Sequence, residues 1–425
     1  MMIRMNWKGR ETMRKSTLAT LTSGLAVVGL AALLAGCSNG PTTLGDDPTN
    51  PVDPTNPGSG GTPAPTGSAG GGGAPTPAET ADLDARKINY GEALRTASLK
   101  LVGELPTIDD IKSVDSPNAK AAYEAKIDAL LADPRFAARQ IQFWRDTFKT
   151  GAPGMNANGK PDYDTAAVFA TEVVVKDRPY TDLFTATSGT CPTFANGTFT
   201  DANCPGNAPT AGLLTNPGLM SQYFANMAFR RVRFVQETFV CSKFPTEFTG
   251  TPKQMGNGVF TSPWDFNSIT GTGNAPNARI NFQDTSSVIC ANCHTTMNHQ
   301  APLFGQFDAN GAYQTTIQVK TPSNGNPTTT LADWLPSGQT LAWRSGKTVT
   351  DLPSFGAAVA ADPDVARCIV TREWNYAMSR GDVVNDLATV PPVVSDPLLK
   401  DFTSNGMKVK RLIRNIFTSD DFVKF

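Results

Sequence analysis

The pentad Cys290-Ala291-Asn292-Cys293-His294 constrains this chain more than any other feature of its 425 residues. Two thiols three residues apart, followed at once by an imidazole, have the order needed for two thioether bonds to the vinyl groups of a haem, with the next residue ligating the iron. A chain built that way must wrap its fold around a covalently held, largely apolar macrocycle. The spacing predicts one haem c, attached at Cys290 and Cys293, with His294 as the proximal ligand.

The rest of the sequence narrows the alternatives. It contains only two histidines, His294 and His299, so a three-histidine catalytic zinc cannot be assembled. A structural zinc needs four ligands at finger-like spacing, and only His299 is left to help the pentad. A redox dithiol would not require His294, and no thioredoxin-like βαβ pattern surrounds the pair. No phosphate loop, G-x-S-x-G elbow or dinucleotide fingerprint is present. The formal net charge is -1 and no long run of one sign occurs, which argues against a nucleic-acid partner.

The N-terminus reads as an address. Arg4, Lys8, Arg10, Arg14 and Lys15 precede an apolar run from Leu18 to Ala35 that ends in Leu34-Ala35-Gly36-Cys37. That is the charged and apolar order of an export signal, and its end is similar to a lipobox, in which cleavage leaves Cys37 first and lipidated. The apolar run barely reaches the ~20 residues that a membrane span requires. Residues 1–36 are therefore expected to be a lipoprotein signal peptide and 37–80 a disordered Pro/Gly/Ser/Thr tether. Random-coil scaling gives such a tether a reach on the order of 35 to 40 Å. Localisation is expected to be the outer membrane, on its periplasmic or surface side.

Helical periodicity begins near residue 81. Leu94, Ala97 and Leu101 keep it before Pro106, Tyr123, Ile127, Leu130 and Leu131 before Asp133-Pro134, and Ala137, Ile141, Trp144 and Phe148 after that break. This predicts a helical domain over 81–150. Residues 151–212, rich in Gly, Asn, Pro and Thr, read as an irregular excursion stapled by a disulfide, and 213–425 as the haem domain. In that last stretch Asn216-Pro217 opens a helical segment through Met220, Phe224 and Met227, and Val232, Val235 and Phe239 continue the stripe. Asp362-Pro363 starts a helix that runs through Tyr376 and Met378, with Gly381 as its C-terminal cap. Val409, Leu412, Ile413 and Ile416 mark a last amphipathic helix, with Lys408, Lys410, Arg411 and Arg414 on its solvated face. The fold class expected is mainly α, with a helical N-terminal domain and a cytochrome-c-like helical haem domain carrying long loops.

Of seven cysteines, lipid takes Cys37 and thioethers take Cys290 and Cys293, which leaves Cys191, Cys204, Cys241 and Cys368. Two disulfides in any of three connectivities would use them, and spacing favours Cys191 with Cys204 and Cys241 with Cys368. For the sixth iron ligand, Met297 and His299 lie too close to His294 to reach the opposite face. Met378 is the first candidate, Met220 and Met227 follow, and an open site is a further option. Arg230, Arg231 and Arg233 read either as a solvated face or as partners for haem propionates. Asp308-Ala309-Asn310-Gly311 begins like a calcium loop but lacks the downstream glutamate, which favours an Asn-Gly turn.

The pentad followed by Met297, Phe304, Phe307-Asp308 and Gly311 resembles the haem segment of a family of exported bacterial cytochrome-c-like proteins whose domains are uncharacterised. Gly212-Leu213-Leu214-Thr215 resembles that family's upstream block. Leu335-Pro336-Ser337-Gly338, Cys368, Tyr376-Ala377-Met378, Arg380-Gly381 and Ser419-Asp420-Asp421-Phe422 are similar to its closing domain. Gly103-Glu104-Leu105-Pro106-Thr107 and Phe143-Trp144 resemble its helical leading domain. The resemblance implies haem c and electron transfer between redox protein partners, with no substrate. This chain departs from it at Asn298-His299-Gln300-Ala301-Pro302, where many relatives have an Asp-Pro-Gly step, so His299 could be a polar group near the iron's edge. The alternatives are a haem-containing oxidase, peroxidase or dehydrogenase subunit, and a haem-free surface scaffold protein.

Overall fold

In a computed structural model the described residues are 85–150, 160–244, 253–255, 258–260, 296–319, 334–335, 338–382 and 387–425. The expected signal peptide, Cys37 and the expected tether lie outside them. The described chain is mainly helical, and its strands form three two-stranded antiparallel ribbons. No described helix is long and apolar enough to cross a membrane.

Local chemistry sets the helix boundaries. Helix α1 (Tyr90–Leu101) starts where the Asn89 side chain accepts from Glu92 N, and it buries Leu94, Ala97 and Leu101. A capping box of Thr107 and Asp110 opens α2 (Ile108–Ser113). Helix α3 (Ala119–Ala132) stops at Asp133, which caps α4 (Pro134–Phe148) with proline in its first turn. Helix α4 buries Phe136, Ile141, Trp144 and Phe148 and ends on Lys149 in the left-handed region, at φ 53.

The described part of the expected excursion, residues 160–212, holds more regular structure than its composition predicts. Residues 164–175 form α5 (Asp164–Val175), buried from Ala166 to Val174 and packed along α4. Its sequence is apolar on nearly every face, so it has no amphipathic stripe to read, and such a helix belongs inside a core. The short helix α6 (Asp182–Thr185) follows, then a hairpin pairing Thr193–Ala195 with Thr198–Thr200. The Cys191–Cys204 disulfide, S–S 2.02 Å, closes this hairpin segment.

Asn216 caps α7 (Pro217–Gln222), accepting from Leu219 N at 3.3 Å. The apolar stripe then breaks, because Met227 and Ala228 both take left-handed φ, at 63 and 58, before α8 (Phe229–Phe239) begins. After α9 (Leu352–Ala360), Asp362 and Pro363 open α10 (Pro363–Ala377). This helix ends through Ser379, with φ 54, and not at Gly381. Arg380 N then closes the turn on Asn375 O at 2.8 Å. The disulfide Cys241–Cys368, S–S 2.04 Å, ties the end of α8 to the middle of α10.

Helices α11 (Pro392–Ser404), α12 (Val409–Phe417) and α13 (Asp420–Val423) return to the first described helices. Helix α12 packs on α3 and α5, and α13 packs on α1. Tyr123 of α3 donates its hydroxyl to Phe417 O at 2.6 Å. Backbone bonds join Asn89 N to Val423 O and pair Lys87 with Phe425. The basic face of α12 is partly engaged: Arg411 pairs with Asp401 at 2.9 Å and Arg414 with Asp128 at 2.6 Å. The sequence ranges 81–150, 151–212 and 213–425 thus contribute to one contiguous buried core that runs from Ala93 to Val423.

Candidate functional site

Cys290, Cys293 and His294 lie outside the described residues, and the chain is described again from Thr296. Residues 296–300 form one helical turn in which every side chain is buried. Four residues apart, Thr296 and Gln300 share a face of that turn. Thr296 Oγ1 and both amide atoms of Gln300 are buried with no hydrogen-bond partner among the described residues. Gln236 on α8 is in the same state. Each such group costs about 1 to 3 kcal/mol unless something polar meets it. A macrocycle carrying two carboxylates, if joined to the chain just upstream of Thr296, would supply polar groups of the required kind, so the chemistry of these residues is compatible with a haem.

His299 faces another way. Its Nδ1 lies 2.6 Å from Thr340 O, and since a carbonyl only accepts, Nδ1 carries the proton. Burial pulls its pKa down to about 4, so the ring is neutral at pH 7. That bond fixes the tautomer of the ring.

The segment after the turn is held by one guanidinium. Arg231 of α8 is fully buried. Its Nη1 donates to Phe304 O at 2.7 Å and Phe307 O at 2.9 Å, and its Nη2 to Met220 O at 2.6 Å and Asp308 O at 3.1 Å. Nε adds a second bond to Met220 O at 3.0 Å. Burial lowers its pKa to about 9. Arg231 therefore belongs neither to a solvated face nor to a propionate site, because its N–H groups are committed to main-chain carbonyls.

Asp308 makes the Asn-Gly turn expected from its sequence. Its Oδ1 accepts from Asn310 N at 2.8 Å and Ala312 N at 3.0 Å. Gly311, at φ +73, sits where a Cβ would lie 2.0 Å from Pro217 O, so only glycine fits. Lys160 and Ser221 both donate to Ala309 O, at 2.6 and 2.8 Å, and hold the turn against the start of α5 and the end of α7.

The candidate distal methionines lie on different contacts. Met220 is fully buried and shares the Arg231 guanidinium with Phe304 and Phe307. Met227 O accepts from Trp334 Nε1 at 3.1 Å. Met378 follows the last residue of α10 and is partly buried on the core. Its neighbour Tyr376 donates to Lys100 O at 2.9 Å and meets Phe143 edge-on, which places that end of α10 against α1 and α4.

Against this geometry stands one sequence comparison. Residues 79–190 match PSCyt2, described as a protein of unknown function (DUF1549). The match covers the leading helices through α6 and stops well before Cys290. No curated protein matches the chain, and no solved structure does.

Sequence reasoning missed the separation of the α8 arginines. Arg231 turns inward, while Arg230 and Arg233 line a cavity on another side of the helix. Their three-residue spacing puts Arg230 and Arg233 on one face and was the available signal. Arg372 of α10 lines the same cavity, and the available signal was the expected Cys241–Cys368 pair, which ties the end of α8 to α10 one turn before Arg372. No cluster of three potential metal ligands occurs among the described residues.

Proposed function

We propose that this chain is a mono-haem c-type cytochrome, with the haem held at Cys290 and Cys293 and His294 as its proximal ligand. The observation that carries the reading is the pentad, because its order of thiol, thiol and imidazole is what covalent haem attachment needs. Two structural observations support it. The cysteines outside the pentad and the lipobox are paired with each other, Cys191 with Cys204 and Cys241 with Cys368, which leaves the pentad thiols available. Buried polar groups without partners among the described residues follow the pentad at Thr296 and Gln300.

Haem supplies a one-electron iron couple when bound, and the work assigned to this chain is to pass single electrons between redox proteins. Lipid at Cys37 anchors it to the outer membrane, and the tether carries the folded part to partners on the periplasmic or surface side. For the distal position we order the thioethers Met227, Met220 and then Met378. The first two lie on elements tied to the segment after the pentad, through Trp334 and Arg231. A thioether there raises the reduction potential.

The test is His294→Ala in the exported protein. The low-spin visible spectrum should disappear while export and lipidation are unchanged. An unaltered spectrum would overturn the assignment of His294. A wild-type ferric spectrum that shifts with cyanide or peroxide would favour a catalytic oxidase or peroxidase over an electron carrier.

A further inference from the structure

A cavity of about 220 Å³ opens between the end of α4, one face of α8 and the middle of α10, and its charge is lopsided. Lys149, Arg230, Arg233 and Arg372 line it, with Glu237 as the one carboxylate. Glu237 is already taken, since its Oε1 lies 2.7 Å from Arg233 Nε. Among the described residues, no ion pair neutralises the other three cations.

Arg372 is the unusual member. It is 3% exposed, yet among the described residues its partners are two main-chain carbonyls, Asp382 O at 2.7 Å and Glu237 O at 3.4 Å, and its Nε has none. Asp382 and Glu373 lie near it, but neither forms an ion pair with it among the described residues. Burial raises the pKa of both carboxyls, that of Glu373 to about 8, which leaves Glu373 largely uncharged at neutral pH. A buried guanidinium without a counter-charge is costly, and an anion in the adjoining cavity removes that cost.

The walls suit such a ligand. Tyr223 and Phe234 stack with ring centroids 4.3 Å apart, and Arg230 lies over the Tyr223 ring at 5.5 Å. The Tyr223 hydroxyl donates to Phe148 O at 2.6 Å, which fixes the ring as a rigid side of the cavity. Thr147 and Thr238 add hydroxyls. The volume holds one phosphate or carboxylate group with a few waters.

We propose that this cavity binds a small oxyanion, a phosphate or carboxylate group, gripped by Arg372 at its floor and by Arg230 and Lys149 at its rim. Guanidinium forks match the geometry of either group, and both ligands share that chemistry. A bound oxyanion would join α4, α8 and α10. The inference stands apart from the haem reading, since every residue in it belongs to the described helices and their ends.

The experiment is thermal unfolding of the full mature protein titrated with inorganic phosphate or succinate, against sodium chloride at matched ionic strength. A ligand that binds only the folded state raises the melting temperature saturably. The expected result is a saturable rise with at least one of the two anions beyond the chloride control; whichever anion gives it identifies the source. Arg230→Ser and Lys149→Ser, both at the surface, should each weaken the apparent affinity about tenfold without lowering the ligand-free melting temperature. Arg372→Gln should remove the response. Equal behaviour in chloride, phosphate and succinate would overturn the proposal, as would an undiminished response in the Arg230 and Lys149 variants.

Discussion

Arg231 shows how much one residue can decide. Three arginines in four positions look like a solvated helix face, and the sequence holds no sign that the middle one turns inward to four carbonyls. Replacing it by methionine leaves Met220 O, Phe304 O, Phe307 O and Asp308 O without their donor. Arg231→Met should cost about 3 to 5 kcal/mol in urea unfolding, and Arg231→Lys should rescue little, because an ammonium lacks the fork. A loss below 1 kcal/mol would remove the clamp from this account. Glu373 gives a pH signature. Its folded pKa of about 8 lies above the model-compound value of 4.5, so its neutral form contributes stability that is fully present below pH 4.5 and is lost as pH rises through 8. Melting temperature measured from pH 5 to 9 should therefore decline less in Glu373→Gln than in the wild type; parallel profiles would contradict the assignment. The pentad stands out in the sequence because its residues are adjacent, and it lies outside the described residues. Arg231 and Glu373 were not legible, because their states depend on neighbours far along the chain.

Among elements, those with one apolar stripe were readable and those without one were not. Helices α1, α3, α4 and α12 follow the periodicity of Leu94, Ile127, Trp144 and Leu412. Helix α5 was hidden because Val168, Phe169, Val173 and Val174 leave no polar face to set a period. The end of α10 was misplaced for a different reason: Ser379 accepts the left-handed conformation that favours glycine, so Gly381 was a false signal. The disulfides link elements across different distances, with separations of 13 residues for Cys191–Cys204 and 127 for Cys241–Cys368. Loop-closure entropy makes the longer link worth about 5 kcal/mol and the shorter about 3. Cys241→Ala/Cys368→Ala should thus lower stability more than Cys191→Ala/Cys204→Ala when both are followed by guanidinium unfolding. The reverse order would show that the α8–α10 link is not what holds those helices together.

At the scale of the whole molecule, the described part closes on itself. Lys87 and Asn89 pair with Phe425 and Val423, and α12 covers α3, so the first described helices and the closing helices stabilise one another. This long-range closure was invisible to a reading that moves along the chain and cuts it at loop-rich stretches. Within the described part, the segment after the pentad is anchored by Arg231 to α7 and α8, and α8 is bonded through Cys241 to α10. A haem at Cys290 and Cys293 would thus join a scaffold braced by helices on both sides of it in sequence. The direct measurement is a haem-stained denaturing gel, with a reduced pyridine haemochrome spectrum, of the mature protein produced in the periplasm of a host able to mature c-type cytochromes. Wild type should give a stained band with a c-type α peak, which Cys290→Ser/Cys293→Ser loses. A colourless wild-type band would contradict the cytochrome assignment and return the pentad to a dithiol or zinc role.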